Sequence, residues 1–181
     1  MVKNFLITGR PGIGKTTAVE KIVNLLKGSN VTVGGFVSRE VRRGGVRIGF
    51  EVEDVKTGKK GYLARVGVGV GPRVGKYTVN IREFEAIGVK ALVDAIDEAD
   101  VIIVDEIGPM ELYSLKFKEA VRNAVESEKP VVATIHWKAS RDPFCRAILS
   151  RNDVKIIELS FRSRDKVPLE VYSEIVEKLR E

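Results

Sequence analysis

The fold of this chain is decided near its start, by the stretch Gly9-Arg10-Pro11-Gly12-Ile13-Gly14-Lys15-Thr16. This stretch fits the pattern G-x-x-x-x-G-K-[ST], a glycine-rich loop whose backbone N–H groups surround the phosphates of a nucleoside triphosphate. The apolar run Phe5–Ile7 precedes it, and from Ala18 to Leu26 apolar residues recur at helical spacing. Strand, glycine loop and helix therefore follow one another in the order that a phosphate-binding loop requires.

Each residue type in the loop has a physical role. Glycines allow a tight turn without Cβ clashes, so that successive N–H groups converge on phosphate oxygens. The following helix adds the positive end of its dipole. Lys15 is predicted to contact the β- and γ-phosphates, and the Thr16 hydroxyl is predicted to bind Mg²⁺. The alternative is an ordinary glycine turn with a solvated lysine, which the flanking strand and helix disfavour.

Length and composition indicate one domain, spanning residues 1–181. The chain is 44% apolar, and no apolar run approaches the roughly 20 residues that cross a bilayer. Because the glycine loop begins at Gly9, a secretory signal is not expected before it, and a cytoplasmic location without membrane contact is predicted. Cys145 is the only cysteine and His136 the only histidine, so neither a disulfide framework nor a zinc site is expected.

The net charge of +6 raises the question of nucleic-acid binding. The densest basic clusters, Arg39–Arg47 and Arg162–Lys166, are short and interleaved with other residues. Tight non-specific DNA binding usually uses about 6–10 phosphate contacts from one face. A mixed, solvated surface is therefore favoured, and a nucleic-acid partner is compatible with the charge but not indicated. The sequence does not determine the oligomeric state, and a monomer is favoured.

The segment after the first helix predicts antiparallel strands. Val31–Val41 is predicted to be one strand, and Val46–Glu53 alternates apolar and polar residues at period two, which indicates a second strand paired with it as a hairpin. Gly34 and Gly35 indicate a bulge or a close backbone approach. Gly61–Val66 is predicted to be a third antiparallel strand.

The rest of the chain alternates helices and strands. The β-branched run Val101–Val104 is typical of a strand buried on both faces of a parallel sheet. The pattern therefore predicts a mostly parallel sheet with helices on both faces and an antiparallel hairpin extension. The remaining predicted elements are a loop at Gly67–Pro72, an extended piece at Val74–Val79, a helix capped by Asn80, a helix from Ser114, a strand at Val131–Ile135, a helix at Phe144–Arg151, a strand at Val154–Leu159 and a helix at Leu169–Lys178.

Two carboxylates follow the buried strand directly. In open parallel sheets, ligands lie beyond the carboxyl ends of the strands, so Asp105 and Gly9 are expected to face one pocket. Asp105 is predicted to hold Mg²⁺ opposite Thr16, and Glu106 to orient and deprotonate an attacking water. The alternative is a pair of solvated charges at a strand end.

Other polar residues are candidates for the same rim. His136 ends the next strand and is either a sensor of the γ-phosphate or a plain surface residue, and Trp137 is predicted to pack in the core rather than to stack on a base. Phosphoryl transfer often uses an arginine to stabilise charge. The sequence does not choose among four candidates, Arg10, Arg141, Arg162 and Arg164.

Several stretches together resemble a known family. They are Gly9–Thr17, Gly35-Phe36, Glu40-Val41-Arg42, Arg47-Ile48-Gly49-Phe50, Arg73-Val74-Gly75-Lys76-Tyr77 and Val104-Asp105-Glu106-Ile107-Gly108-Pro109-Met110-Glu111. The chain resembles, over nearly its whole length, the thermophile-type nucleoside triphosphatases, whose vertebrate relatives are called cancer-related nucleoside triphosphatase.

The resemblance implies a RecA-like P-loop core and Mg²⁺-dependent hydrolysis of several nucleoside triphosphates, ATP and GTP among them, to diphosphate and phosphate. It also implies nucleotide contacts in two segments, at Gly9, Arg10, Pro11, Gly12, Ile13, Gly14, Lys15, Thr16 and Thr17, and at Val101, Ile102, Ile103, Val104, Asp105, Glu106, Ile107 and Gly108. The chain departs from the family near its end. Relatives tend to carry an Asn-Arg pair where this chain has Phe161-Arg162-Ser163-Arg164-Asp165.

Three functions remain open at this point. The leading hypothesis is a Mg²⁺-dependent nucleoside triphosphatase of low base selectivity, with Lys15 and Glu106 in catalytic roles. The second is a nucleotide or nucleic-acid kinase, for which residues 138–151 are the only candidate lid. The third is a nucleotide-switched binding module whose partner surface comprises Gly67–Pro72 and Arg39–Arg47. A regulatory GTPase is disfavoured, because no Asn-Lys-x-Asp sequence occurs.

Overall fold

The structure, a computed structural model, describes residues 1–67 and 69–181. The strands in this part of the chain are β1 (Asn4–Thr8), β2 (Val33–Arg43), β3 (Val46–Asp54), β4 (Lys60–Val66), β5 (Arg73–Val74), β6 (Tyr77–Val79), β7 (Val101–Ile107), β8 (Val131–Ile135) and β9 (Val154–Glu158). The helices are α1 (Lys15–Gly28), α2 (Ile81–Phe84), α3 (Lys90–Glu98), α4 (Leu115–Glu126), α5 (Pro143–Leu149) and α6 (Val167–Arg180), with a π-helical turn at Glu85–Val89 and 3₁₀ turns at Glu111–Tyr113 and Ala139–Arg141.

All nine of these strands form one sheet in the order β5-β6-β4-β3-β2-β7-β8-β1-β9. Five neighbouring strands are parallel, namely β2, β7, β8, β1 and β9. The other four, β3 to β6, extend the sheet beyond β2 as antiparallel strands. The strand β2 joins the two parts, because Val33–Phe36 pairs parallel with β7 and Phe36–Arg43 pairs antiparallel with β3. The predicted parallel core with an antiparallel hairpin extension is confirmed.

Helices cover both faces of the sheet, as predicted. In β1, Leu6 packs into the apolar cluster that holds the side chains of α3 and α4, whereas Phe5 and Ile7 pack into the cluster that holds those of α1 and α6. This opposite placement of neighbours follows from the two-residue period of a strand. The strand is therefore apolar throughout, because both of its faces are buried.

Gly35 marks a close approach of two backbones and not a bulge. Its pairing with β7 runs without a shift from Val33 to Phe36. A Cβ atom on Gly35 would lie 2.0 Å from the carbonyl oxygen of Ile103, and the backbone has φ +104°. Only glycine fits both conditions. Of the two readings that the sequence left open, the close approach is therefore confirmed.

Some local predictions differ from the structure. The extended piece at Val74–Val79 is two short strands that turn at Gly75, where φ is +57°. The helix after Asn80 contains the π-helical turn, whose Gly88 lies against the ring of Phe84. A Cβ atom on Gly88 would also lie 3.6 Å from Cγ of Phe36 in β2, a tertiary neighbour that the helical period does not reveal. The predicted loop at Gly67–Pro72 includes residue 68, which lies outside the described residues.

None of the helices in the described part of the chain has both the length and the apolar composition needed to cross a bilayer.

Candidate active site

The glycine loop connects the end of β1 to the start of α1. Gly14 precedes the first helical residue with φ +108°, and the N–H of Ile13 donates to the carbonyl of Arg10 at 3.1 Å, which closes the loop. No side chain of the described residues caps the first turn of α1, and no acidic residue lies in it. The N–H groups at this helix end are therefore available to an anionic ligand.

Lys15 links the loop to the acidic pair of β7. Its Nζ donates to the carbonyl oxygen of Gly9 at 2.9 Å and lies 3.9 Å from Oε1 of Glu106. The ammonium group thus lies across the loop, where phosphates would bind. Two segments about ninety residues apart in sequence meet here because the carboxyl ends of β1 and β7 lie at the same edge of the parallel sheet.

Asp105 is almost completely buried, at 1% exposed. Its Oδ1 accepts hydrogen bonds from the hydroxyls of Thr134 at 2.6 Å and Thr16 at 3.3 Å, and its Oδ2 accepts one from the N–H of Ser38 at 3.2 Å. Burial raises the pKa of Asp105, and these three hydrogen bonds oppose that rise. Donors from β8, α1 and β2 therefore fix the orientation of one carboxylate next to the loop.

Glu106 points into the same cavity and is half-buried. The pKa of Glu106 is raised, chiefly because the carboxyl group is buried. The charge of Asp105 raises this pKa further, and the ammonium of Lys15 opposes the rise. A carboxylate with a raised pKa is a stronger base in its ionised form, which suits it to accept a proton.

Glu111 is a buried acidic residue whose burial the sequence did not predict. It lies at 3% exposure in the 3₁₀ turn after β7, and within the described residues its Oε2 has no hydrogen-bond partner. Burial, followed by the charge of Glu106, raises the pKa of Glu111 well above the usual range. The only local signal is that Met110 and Leu112, its neighbours in sequence, are apolar.

His136 follows β8 and lines the cavity. Its Nδ1 accepts a hydrogen bond from the N–H of Lys138 at 3.1 Å, so the neutral ring carries its proton on Nε2. Burial lowers the pKa of His136, and the charges of Lys15 and Lys138 lower it further. At neutral pH the ring is therefore an uncharged donor at the rim of the cavity.

The cavity has a volume of about 560 Å³. The loop and the ends of β7 and β8 form one wall. The opposite wall comes from the hairpin of β2 and β3, which the sequence did not connect with the site. Its charged residues are paired: Arg39 donates to Glu20 at 2.6 Å and also to Glu53, and Arg47 donates to Glu40 at 3.0 Å.

The predicted contact residues fall into those that line the cavity and those that do not, and Gly9, Arg10, Ile13 and Gly108 are of the second kind. Pro11, Gly12 and Gly14 to Thr17 line the cavity together with Asp105 and Glu106. The segment Val101–Val104 does not reach it, because these side chains are 0% exposed in the core, and Ile107 is 1% exposed. This part of β7 instead holds the acidic pair in place.

The candidate arginines lie in different environments. Nη1 of Arg164 donates to the carbonyl of Ile13 at 3.5 Å, which places it beside the loop. Arg10, Arg141 and Arg162 are exposed. The prediction that Trp137 packs in the core is wrong: it is 46% exposed, and Nζ of Lys138 lies 4.8 Å from its ring centroid.

Fold and site together define an α/β protein of the P-loop class. Its glycine loop follows the parallel strand β1, which lies between β8 and β9, and a buried aspartate in the carboxyl-terminal half of β7 accepts a hydrogen bond from the loop threonine. This arrangement is the one that P-loop proteins use to bind nucleotide phosphates.

Comparisons with known proteins identify the family. The model of the NTPase family matches residues 4–172. The chain is 54% identical over 173 residues to the nucleoside-triphosphatase THEP1 of Thermofilum pendens, covering 96% of this chain and 95% of that protein. It is 49% identical over 168 residues to the THEP1 of Thermotoga maritima, covering 93% and 92%. The chain therefore belongs to the THEP1 nucleoside-triphosphatase family.

Solved structures agree with this assignment. The crystal structure of THEP1 from the hyperthermophile Aquifex aeolicus matches with a TM-score of 0.84 and 36% identity, covering 95% of this chain and 98% of that chain. The solution structure of a human cancer-related nucleoside triphosphatase matches with a TM-score of 0.81 and 34% identity, covering 96% and 97%. The resemblance inferred from the motifs is confirmed.

Proposed function

We propose that this chain, as a single domain, hydrolyses nucleoside triphosphates to diphosphate and phosphate in a Mg²⁺-dependent reaction with low base selectivity. The observation that carries the proposal is the contact between the loop and the acidic pair, with Nζ of Lys15 3.9 Å from Oε1 of Glu106. This contact places a cation for the phosphates next to a carboxylate that can activate water. The names of the THEP1 relatives support the same reaction class.

Thr16 and Asp105 would hold the Mg²⁺ ion. Mg²⁺ prefers oxygen ligands and is usually held by one or two carboxylates together with substrate phosphates. The Thr16 hydroxyl and Oδ1 of Asp105, 3.3 Å apart, supply such oxygens beside the loop. When bound, the ion neutralises negative charge that develops on the β- and γ-phosphate oxygens.

The chain's own groups carry the remaining steps. The loop N–H groups and Lys15 bind the phosphates, and Glu106 orients a water molecule in line with the γ-phosphate. As the water oxygen forms its bond to phosphorus, the bond to the β-phosphate oxygen breaks and Glu106 accepts the water proton. The Nε2–H of His136 donates a hydrogen bond to a γ-phosphate oxygen.

The geometry favours hydrolysis over the alternatives. The segment that a kinase would use as a lid is anchored, since Ala139, Cys145 and Ile148 are buried in the core. The basic hairpin that a switched binding module would present has Arg39 and Arg47 paired with acids of the same region. A transfer reaction to a second substrate therefore has less structural support than transfer to water.

Replacing Glu106 with glutamine tests the proposal. Glu106→Gln keeps the shape of the side chain but cannot accept the proton, so hydrolysis is expected to fall about 10²- to 10⁴-fold while nucleotide affinity is kept. Phosphate release and calorimetric binding of a nucleoside triphosphate measure the two effects. Glu40→Gln is the matched control, because Glu40 lines the same cavity but pairs with Arg42 and Arg47. Wild-type turnover in the Glu106 variant would exclude this residue as the base.

A further inference from the structure

The nucleoside of a bound substrate must extend from the glycine loop toward one of the two strands that flank β1. This strand lies between β8 and β9. Glu106 lies near the carboxyl end of β7 and His136 follows β8, so under the proposed function the terminal phosphate and the attacking water occupy that side. Because a triphosphate chain is linear, its α-phosphate and nucleoside then extend toward the segment that follows β9.

This segment, residues 159–166, is in contact with the loop. The N–H of Leu159 donates to the carbonyl of Thr8 at 2.9 Å, and a Cβ atom on Gly9 would lie 3.2 Å from the carbonyl oxygen of Leu159. Nη1 of Arg164 reaches the carbonyl of Ile13 at 3.5 Å. The segment therefore borders the loop at its beginning and in its middle.

An exposed aromatic ring projects from this segment. Phe161 is 76% exposed, and the guanidinium carbon of Arg164 lies 4.9 Å from its ring centroid. The guanidinium covers part of the ring and leaves most of it open to solvent. The same arginine thus supports the ring and contacts the glycine loop.

The turn that carries the ring is held by its own hydrogen bonds. The N–H of Ser160 donates to Oγ of Ser163 at 3.0 Å, and the N–H of Ser163 donates to Oγ of Ser160 at 3.2 Å. The N–H of Arg164 donates to the carbonyl of Ser160 at 3.0 Å. A ring on such an ordered turn loses little freedom when a ligand stacks on it, which favours binding.

We propose that Phe161 is the surface on which the nucleobase stacks, and that Arg164 fixes this surface relative to the glycine loop. The inference rests on the proposed function, because it uses the direction of the bound triphosphate. Stacking on an aromatic ring accepts every base, since each base has a π face. The ligand class is therefore any nucleoside di- or triphosphate, and low base selectivity follows directly.

Trp137 is the competing aromatic residue. It is 46% exposed and follows β8, on the opposite side of β1 from Phe161. A base that stacked on Trp137 would require the triphosphate to run in the other direction, with its terminal phosphate away from Glu106. The two residues therefore make opposite predictions, and Trp137→Ala is a matched control for Phe161→Ala.

Calorimetric titration in the presence of Mg²⁺ distinguishes these cases. The probes are ADP, GDP, CDP, UDP and pyrophosphate, and the proteins are the wild type, Phe161→Ala, Phe161→Tyr and Trp137→Ala. Phe161→Ala is expected to lower the affinity for all four nucleotides about tenfold, because the variant loses base–aromatic stacking. Its affinity for pyrophosphate should stay unchanged, Phe161→Tyr should restore nucleotide affinity, and Trp137→Ala should bind like the wild type.

Three results would overturn the inference. The first is equal nucleotide affinity in Phe161→Ala and the wild type. The second is a loss of pyrophosphate affinity in Phe161→Ala that equals its loss of nucleotide affinity. The third is a loss of nucleotide affinity in Trp137→Ala and not in Phe161→Ala. Because the titration needs no turnover, it separates this inference from the proposed function. If the wild type binds ADP through Phe161 but releases no phosphate from a nucleoside triphosphate, only the proposed hydrolysis is refuted. If the wild type hydrolyses normally and Phe161→Ala binds nucleotides as the wild type does, only the stacking surface is refuted.

Discussion

Replacing Thr134 with valine removes the shortest hydrogen bond to the carboxylate of Asp105. The Thr134 hydroxyl donates to Oδ1 at 2.6 Å, whereas the other two donors, the N–H of Ser38 and the hydroxyl of Thr16, lie at 3.2 and 3.3 Å. Thr134 itself is 0% exposed in β8. Valine has nearly the same shape as threonine, so the change removes the donor and leaves the strand packing in place.

The magnitude follows from the charge of the acceptor. A hydrogen bond to a charged group contributes about 1.5–3 kcal/mol, and water cannot replace this donor at a buried site. The loss destabilises ionised Asp105 relative to its protonated form, so the pKa of Asp105, already raised by burial, rises further. The proposed Mg²⁺ site needs the ionised form. Since about 1.4 kcal/mol corresponds to a factor of ten, apparent Mg²⁺ affinity should fall about tenfold or more at pH values below the folded pKa of Asp105, and less at higher pH.

The pH dependence provides a second readout. Because the pKa of Asp105 is raised in the folded state, the folded protein keeps a proton that the unfolded chain releases. The contribution of Asp105 to stability therefore decreases as pH rises from the usual aspartate pKa to the folded value. In Thr134→Val this decrease should extend to higher pH, as thermal unfolding without Mg²⁺ would show.

The assay is a Mg²⁺ titration of phosphate release at several pH values. Thr134→Ser keeps the hydroxyl and serves as the control, so its Mg²⁺ midpoint should stay close to that of the wild type. The reasoning would be refuted by a Thr134→Val protein with the wild-type midpoint, or by a serine variant that loses as much Mg²⁺ affinity as the valine variant.

Two further predictions concern stability. Gly35→Ala places a Cβ atom 2.0 Å from the Ile103 carbonyl oxygen at φ +104°, so chemical denaturation should show a free energy of unfolding lower by at least about 3 kcal/mol. The control is Gly45→Ala, where φ is +77° but the Cβ atom meets open space, and its free energy of unfolding should fall by about 1–3 kcal/mol. Equal losses in the two variants would argue against the close approach as the cause. Glu111→Gln replaces a buried acid of raised pKa with a neutral side chain. Wild-type stability should decrease as pH rises above the usual glutamate range, because the folded state retains the Glu111 proton, and the variant should decrease less; parallel unfolding temperatures across pH would contradict this.

The parts of the site that depend on neighbours in sequence were predictable. The glycine loop from Gly9 to Thr16 has its pattern in one continuous stretch, and its amides, Lys15 and Thr16 come together through local geometry. The acidic pair required one further rule, that carboxyl ends of parallel strands share an edge. The strand of Val101–Val104 supplied that context because its β-branched residues are typical of a buried parallel strand.

The hairpin wall of the cavity was not predictable by the same means. Glu40 and Arg47 belong to a family pattern and to the basic cluster Arg39–Arg47, and neither carries a phosphate-binding signal. They line the cavity because β2 pairs with β7 at one end and with β3 at the other. Which side chains face the loop follows from that register, which a single sequence does not specify.

Exposure also had to come from the structure. Trp137 and Phe161 are both large aromatic residues after a strand, and the sequence favoured the core for Trp137. The structure leaves both exposed, on opposite sides of β1. It buries Glu111, for which the only local signal is its two apolar neighbours. Burial depends on which distant elements pack over a residue.

The amino-acid sequence by itself determined the class of the protein, the phosphate-binding loop and the strand that carries the acidic pair, because these depend on hydrophobic period and on residues next to one another in the chain. Only the tertiary structure decided which donors surround Asp105, how its pKa and those of Glu106 and Glu111 are shifted, and which aromatic rings stay exposed. Those properties depend on electrostatics and burial among residues far apart in sequence, which become defined only when the strands are placed in their order in the sheet.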